Sequence, residues 1–295
     1  MATSKKQQGN PPVDEQTAEN REVALQQQGN NALSTEVQLD FEQDAGVGTD
    51  NISKNDMALP FLVILQDLSP QTKKTKPEYV EGAKPGMFYN NINNRLWDGE
   101  TGLIFVNSLF VKTFIEWVPK DAGGGFVADH GLLKGQKLAE DPSTTKDKGL
   151  LILANGNHLV ETAYHFGLIV DEEAGEGSPA LYTSKSTGLK ISRKWNSLAM
   201  GIKLPGRTGP FTPALAYMAY KLTSKEVSND QGTWSQLVVT PYKPTPQLLN
   251  GANLYRQAVD FAKMMAEAPL PIDPTIQEAA DAAAGGEAEA VGKVF

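Results

Sequence analysis

Apolar residues gather in short runs through the middle of the chain and are sparse at both ends. The first compact run, Leu59 to Leu68, stops at Ser69-Pro70. Gly86 to Ile92 predicts a short strand, and Asp98-Gly99 and Thr101-Gly102 mark a turn after it. Leu103 to Val118 is dense in Val, Ile, Phe, Leu and Thr, which predicts one bent strand or two successive strands. Gly123, Gly124 and Gly125 interrupt that pattern before Phe126. Residues 134–149 are charged and rich in Pro, Ser and Thr, which predicts an exposed loop. Leu150 to Thr162 holds Asn155-Gly156-Asn157 between apolar flanks, the strongest hairpin signal in the chain. Strands are then expected over Tyr164 to Val170 and Ala180 to Thr183, on either side of an acidic turn at 171–178.

The period changes over residues 187–202. Ile191, Trp195, Leu198 and Ile202 are spaced four, three and four apart, so they share one face of an amphipathic helix. Ser186 or Thr187 caps this helix, and Pro205-Gly206 ends it. Ala214 to Thr223 and Thr233 to Thr240 predict a second hairpin across residues 229–232. Thr245-Pro246 is a helix-start signal. A longer helix is expected over Leu254 to Ala268, with Tyr255, Val259, Ala262 and Met264 or Met265 inward and Pro269 as its terminator. Eight or so strands with two clear helices predict a mainly β, α+β fold. An OB-fold-like β-barrel core with additional hairpins, two helices and disordered termini fits that count, and so does a β-sandwich.

Composition divides the 295 residues into three parts. Residues 1–52 carry a net charge of −6 and residues 270–295 a net charge of −4, whereas 53–269 carry +2. Both tails hold too little apolar surface to offset the entropy of ordering, so they are expected to be disordered; a marginal helix over Ala18 to Gln28 is the exception in the first. The middle part is long enough for a sizeable core without staples. With no cysteine, disulfides, thiolate metal sites and cysteine nucleophiles are excluded. No apolar h-region opens the chain, and no window of membrane-spanning length occurs. These features fit a cytoplasmic protein that does not enter a membrane.

One segment changes the functional picture. Tyr182 to Lys225 holds Lys185, Lys190, Arg193, Lys194, Lys203, Arg207, Lys221 and Lys225, and no Asp or Glu. On the expected helix, Lys190, Arg193 and Lys194 fall on the side away from Ile191 and Leu198, so a basic stripe faces solvent while the other side packs. Trp195, Phe211, Tyr217 and Tyr220 interleave with these charges. Cations that track phosphates and flat rings that accept bases are the two parts a single-strand binder needs. Trp195 lies on the apolar side of its helix and is assigned to the core; Tyr217 and Tyr220 are placed on opposite faces of a strand, which leaves Tyr217 as the ring for stacking. A second set pairs Lys112 with Phe114 on one face of the Leu103 to Val118 strand, with Trp117 pointing the other way. The alternative for this second set is an ordinary β core, and for the basic segment a passive surface.

Signs of an enzyme are weak. His130, His158 and His165 have no metal-ligand spacing, no G-x-S-x-G occurs, and neither Gly123 to Gly125 nor Gly206-Arg207-Thr208-Gly209 meets the requirements of a phosphate loop. No cofactor is expected.

Two strings, Glu116-Trp117-Val118-Pro119-Lys120 running into Gly123-Gly124-Gly125-Phe126, and Ser186-Thr187-Gly188-Leu189-Lys190 running into Arg193-Lys194-Trp195-Asn196-Ser197-Leu198, resemble strings in tailed-bacteriophage proteins. Some of those are similar to phage single-stranded DNA-binding proteins, and the resemblance spans residues 57–262. It implies an OB core and an acidic tail ending in an aromatic residue, here Phe295, that recruits replication or recombination proteins; Lys293 and the abundant alanine depart from that pattern. The expectation is a non-catalytic single-stranded DNA-binding protein of phage replication or recombination, acting in the host cytoplasm. A virion structural or assembly protein is the alternative, and a DNA-modifying enzyme the third. Homo-oligomerisation is left open.

Overall fold

In the computed structural model of the chain, residues 47–51, 58–147, 149–229 and 232–267 are described. Apart from residues 47–51, the two acidic tails and the Ala18 to Gln28 helix expected from the sequence lie outside them.

Eleven strands join one sheet among the described residues. They are β1 (Phe61–Ile64), β2 (Phe88–Asn90), β3 (Leu96–Trp97), β4 (Leu103–Trp117), β5 (Phe126–Asp129), β6 (Thr145–Asp147), β7 (Leu150–Ile152), β8 (His158–Asp171), β9 (Glu176–Lys185), β10 (Met218–Asn229) and β11 (Gly232–Pro244). Three α-helices accompany them: α1 (Gly131–Ala139), α2 (Gly188–Met200) and α3 (Gly251–Ala266). The main path runs β11-β10-β4-β8-β9-β1-β2-β3, and β5 and the β6–β7 hairpin attach beside β4 and β8. All pairs are antiparallel except β1 with β9.

The spine of the sheet is the long β4–β8 pair, in register from Ile104 opposite Val170 to Trp117 opposite His158. The Leu103 to Val118 run is thus one strand, bent by a register shift between Asn107 and Leu109. The expected hairpin at Asn155-Gly156-Asn157 joins β7 to β8, and Gly156 supplies its positive φ of 84°.

The sheet curls into a half-barrel. Four strands separate β1 from β11 in the path, yet the two are bridged by one side chain. Just beyond β1, the Gln66 amide donates to the Ser235 carbonyl at 2.9 Å and accepts from the Ser235 N–H at 2.7 Å. Gln66 therefore offers β11 the donor and acceptor that a neighbouring strand would offer. A second closure lies nearby: the Ser224 N–H on β10 donates to the Gly99 carbonyl, and its hydroxyl to the Gly86 carbonyl at 2.5 Å.

Both faces of the sheet are covered. On one, Leu254, Ala258 and Phe261 of α3 pack on Ile104, Val106, Tyr164, Phe166 and Leu168. On the other, Trp195 and Ala199 of α2 pack among Leu62, Ile64, Phe88, Phe105, Tyr220, Leu222 and Leu237. The β-rich, barrel-like core expected from the sequence is present. It carries three helices instead of two, because α1 replaces the first part of the loop expected at 134–149. Gly135 of α1 sits against Phe114 so closely that a Cβ there would come 2.3 Å from the Phe114 Cβ. The sequence hid this helix: its buried contact point is a glycine, and Leu133 is 76% exposed.

Candidate nucleic-acid interface

On α2 the residues divide by side. Leu189, Ser192, Trp195 and Ala199 are buried, while Lys190, Arg193, Lys194 and Ser197 are exposed. Met200 is exposed as well, and at 100° per residue Lys190, Arg193, Lys194 and Ser197 span an arc of about 100° on the side away from the buried four. The sequence placed Ile191 and Leu198 at the centre of the packed side, but they lie at its margin, half-buried.

A polar contact causes that rotation. The Ser192 hydroxyl lies 2.8 Å from His165 Nε2 on β8, and the Asn107 amide nitrogen lies 3.2 Å from His165 Nδ1. The amide NH2 can only donate, so Nδ1 accepts and Nε2–H donates to Ser192: a neutral imidazole. Trp195 stacks on it, with centroids 4.3 Å apart and planes 10° apart. Phe105 and Tyr220 meet Trp195 edge-on at 5.8 and 5.5 Å. Such ring pairs contribute about 0.5–1.5 kcal/mol each beyond their buried area. Burial holds His165 down at about pH 3 and pushes the Tyr220 hydroxyl up to about 12. Trp195 is fully buried, as the sequence predicts, so α2 is anchored to the sheet with its cationic side turned to solvent.

Lys190, Arg193 and Lys194 have no carboxylate partner among the described residues. One of the strands under α2, β11, carries no Asp or Glu at all. Directly after α2 the chain forms a small hairpin. Leu204 and Phe211 exchange both backbone hydrogen bonds at 2.9 Å, and Gly206 and Gly209 pair inside them. Arg207 and Thr208 form the tip. At the base, the Lys203 ammonium donates to the Thr212 hydroxyl. Every residue from Pro205 to Phe211 is exposed.

The other expected contact residues do not join this surface. On β10, Tyr220 and Leu222 point to α2, so Lys221 between them projects from the opposite face, the one that α3 covers. Lys185 shares the face of Leu181, and its ammonium rests 5.3 Å from the centre of the Trp117 ring. Lys112 is paired with Glu161 at 2.6 Å, so its charge is already met. Phe114 is 4% exposed beneath Gly135 and has no face for a base. Strand alternation does put it on the face of Lys112, as the sequence predicts, but α1 buries it. Tyr217 lies half-buried in the 3-10 turn Leu215–Tyr217 instead of a strand, so the alternation that offered its ring outward does not apply. Of the interleaved aromatics, Phe211 is the one in the open, 49% exposed. The sequence named it without ranking it, since only the hairpin register shows which ring is free.

A second polar cluster ties the periphery together. Glu116 on β4 is buried; its Oε2 lies 2.7 Å from His130 Nε2, and its Oε1 accepts from the Asn155 and Asn157 amides at 2.9 and 2.6 Å. Burial opposes its ionisation, but the bonds from Asn157, Asn155 and His130 prevail and hold its pKa below the ordinary glutamate value. The carboxylate thereby pins the start of α1 and the β7–β8 turn to β4. The partners are 14 to 41 residues away in the chain, a separation no local pattern reveals. Among the described residues, no group of three or more His, Asp or Glu side chains is placed to hold a metal ion. None of their helices is long and apolar enough to cross a membrane.

No curated protein and no solved structure matches the chain. A family model does: that of the Pam3 phage gp34-like protein, over residues 28–269. That span takes in the half-barrel, α2 and the hairpin after it, and it places the chain in the Pam3 phage gp34-like protein family.

Proposed function

We propose that this protein binds single-stranded DNA without catalysis, in the replication or recombination of a phage genome. The observation that supports this reading is the outer side of α2. Three cations, Lys190, Arg193 and Lys194, stand within one arc of a helix whose other side is locked into the core by Trp195 and Ser192. The helix backbone that carries them is anchored, and no carboxylate among the described residues is paired with them. The family's phage origin fits such a role.

Released counterions give the reading its measurable signature. Three phosphate contacts on a single strand contribute about 2 to the slope of log K against log salt. Lys190→Ala, Arg193→Ala and Lys194→Ala together should lower the slope by that amount and weaken oligonucleotide binding at low salt. All three side chains are exposed, so thermal unfolding should not change. Charge reversal of the same residues to Glu should abolish binding, and unaltered affinity in that variant defeats the proposal.

A further inference from the structure

We infer that the hairpin of residues 204–211 is a stacking wedge that makes this surface select unpaired bases over duplex, with Phe211 as the ring and Arg207 as its phosphate contact. The inference rests on the nucleic-acid reading of α2 and adds to it the part that recognises the ligand's single-stranded form.

The hairpin is built to stand alone. Its two hydrogen-bonded pairs, Leu204 with Phe211 and Gly206 with Gly209, flank a pair that makes no backbone bonds, and both members of that pair are proline: Pro205 and Pro210. Proline has no N–H to lose and fixes its φ, so it stiffens both arms at the one rung where it costs nothing. Gly209 takes a φ of +132°, which side-chain-bearing residues rarely adopt. Gly206 is required for a different reason: a Cβ there would lie 2.8 Å from the Gly209 carbonyl oxygen and 2.9 Å from Phe211 Cδ1. The Phe211 ring therefore rests on a bare glycine, which supports one side of it and leaves it half in solvent.

Other exposed rings are occupied. Phe126 meets Trp117 edge-on at 5.8 Å, and the Tyr242 hydroxyl donates to Glu172 at 2.8 Å. Phe211 has no aromatic neighbour among the described residues and is the most exposed of the three. An exposed ring four residues from Arg207, which has no carboxylate partner among the described residues, on a hairpin that follows a cationic helix in the chain, matches the pairing of π-face and phosphate contact that single strands require. In a duplex the base faces are already stacked and closed to such a ring.

Anisotropy titrations at low salt should compare labelled oligothymidylate with a duplex of equal length, for the wild type, Phe211→Ala, Phe211→Leu and Phe211→Trp. Loss of one stacked base should weaken oligothymidylate binding by roughly 5- to 150-fold. The single-strand to duplex affinity ratio should fall in Phe211→Ala and Phe211→Leu and persist in Phe211→Trp. Phe211→Leu keeps an apolar contact on Gly206, so it separates loss of the flat ring from loss of the hairpin. Ultraviolet cross-linking of wild type to oligothymidylate should place the adduct on Phe211, within the tryptic peptide Thr208 to Lys221. A ratio unmoved in Phe211→Ala, while wild type binds the strand, sinks the wedge and leaves the α2 reading standing. A wild type that binds no oligothymidylate at low salt removes both.

Discussion

Lowering the pH from 7 to 5 should take about 2 kcal/mol from the stability of this protein through His165 alone. The imidazole is fully buried between Asn107 and Ser192, and burial lowers its pKa from 6.5 to about 3. The unfolded chain takes up a proton near pH 6.5; the folded chain does not until far lower. Protons thus favour the unfolded state, and the contribution of a neutral His165 is complete above pH 6.5 and is lost as the pH falls toward the folded value. The slope in this range approaches 1.4 kcal/mol per pH unit for one proton, about 2 kcal/mol over the whole interval. Glu116, whose pKa is held below the ordinary glutamate value, adds a small slope of the same sign only near pH 5, where the unfolded glutamate begins to take up its proton. Urea unfolding at pH 7, 6 and 5, followed by tryptophan fluorescence, measures the effect. His165→Gln should flatten the dependence whatever its absolute stability. Equal slopes for wild type and His165→Gln, or a His165 ring that titrates near 6.5 by NMR in the folded protein, would refute the argument.

Two further predictions concern the closure of the sheet and the packing of α1. Gln66→Leu removes both bonds to Ser235 and leaves its N–H and carbonyl unmet in a half-buried place, so unfolding free energy should fall by about 2–4 kcal/mol, with faster hydrogen exchange at the Ser235 amide; an unchanged urea midpoint would deny Gln66 its closing role. Gly135→Ala should destabilise by about 1–3 kcal/mol, against the gain of about 1 kcal/mol that the same change brings in an exposed helix, because the new methyl meets Phe114. A higher melting temperature for this variant would show that α1 does not press on that ring.

The sequence reveals those parts of this molecule whose cause is local. The β7–β8 hairpin follows from Asn-Gly, and the presence of α2 and the burial of Trp195 follow from apolar spacing, although the helix ends at Met200, before the Pro205-Gly206 stop. The packed side of α2 is turned by about a quarter of the helix from the one that apolar spacing predicts, because Ser192 is polar and its buried partner, His165, is 27 residues away. The same limit governs the candidate interface. The acid-free stretch from Tyr182 to Lys225 was legible as charge, but its division between two sides of a sheet was not. Lys221 and Lys185 are turned away by strand alternation once Tyr220 and Leu181 are fixed inward, and that fixing is a tertiary event. Lys112 meets Glu161 only across the β4–β8 register. What remains, α2 and the hairpin after it, is contiguous in the chain.

Pro205 and Pro210 also bear on how this protein coexists with its own copies. Projecting β-ribbons ordinarily present outward-facing amides on which a foreign strand could grow, and an exposed phenylalanine would strengthen the attraction. At this rung neither arm has an amide hydrogen, so extension past it is interrupted from either flank. An exposed ring is thus carried on a ribbon whose edges are interrupted beside it. Replacing both prolines with threonine would be expected to leave the fold intact while making concentrated solutions turbid.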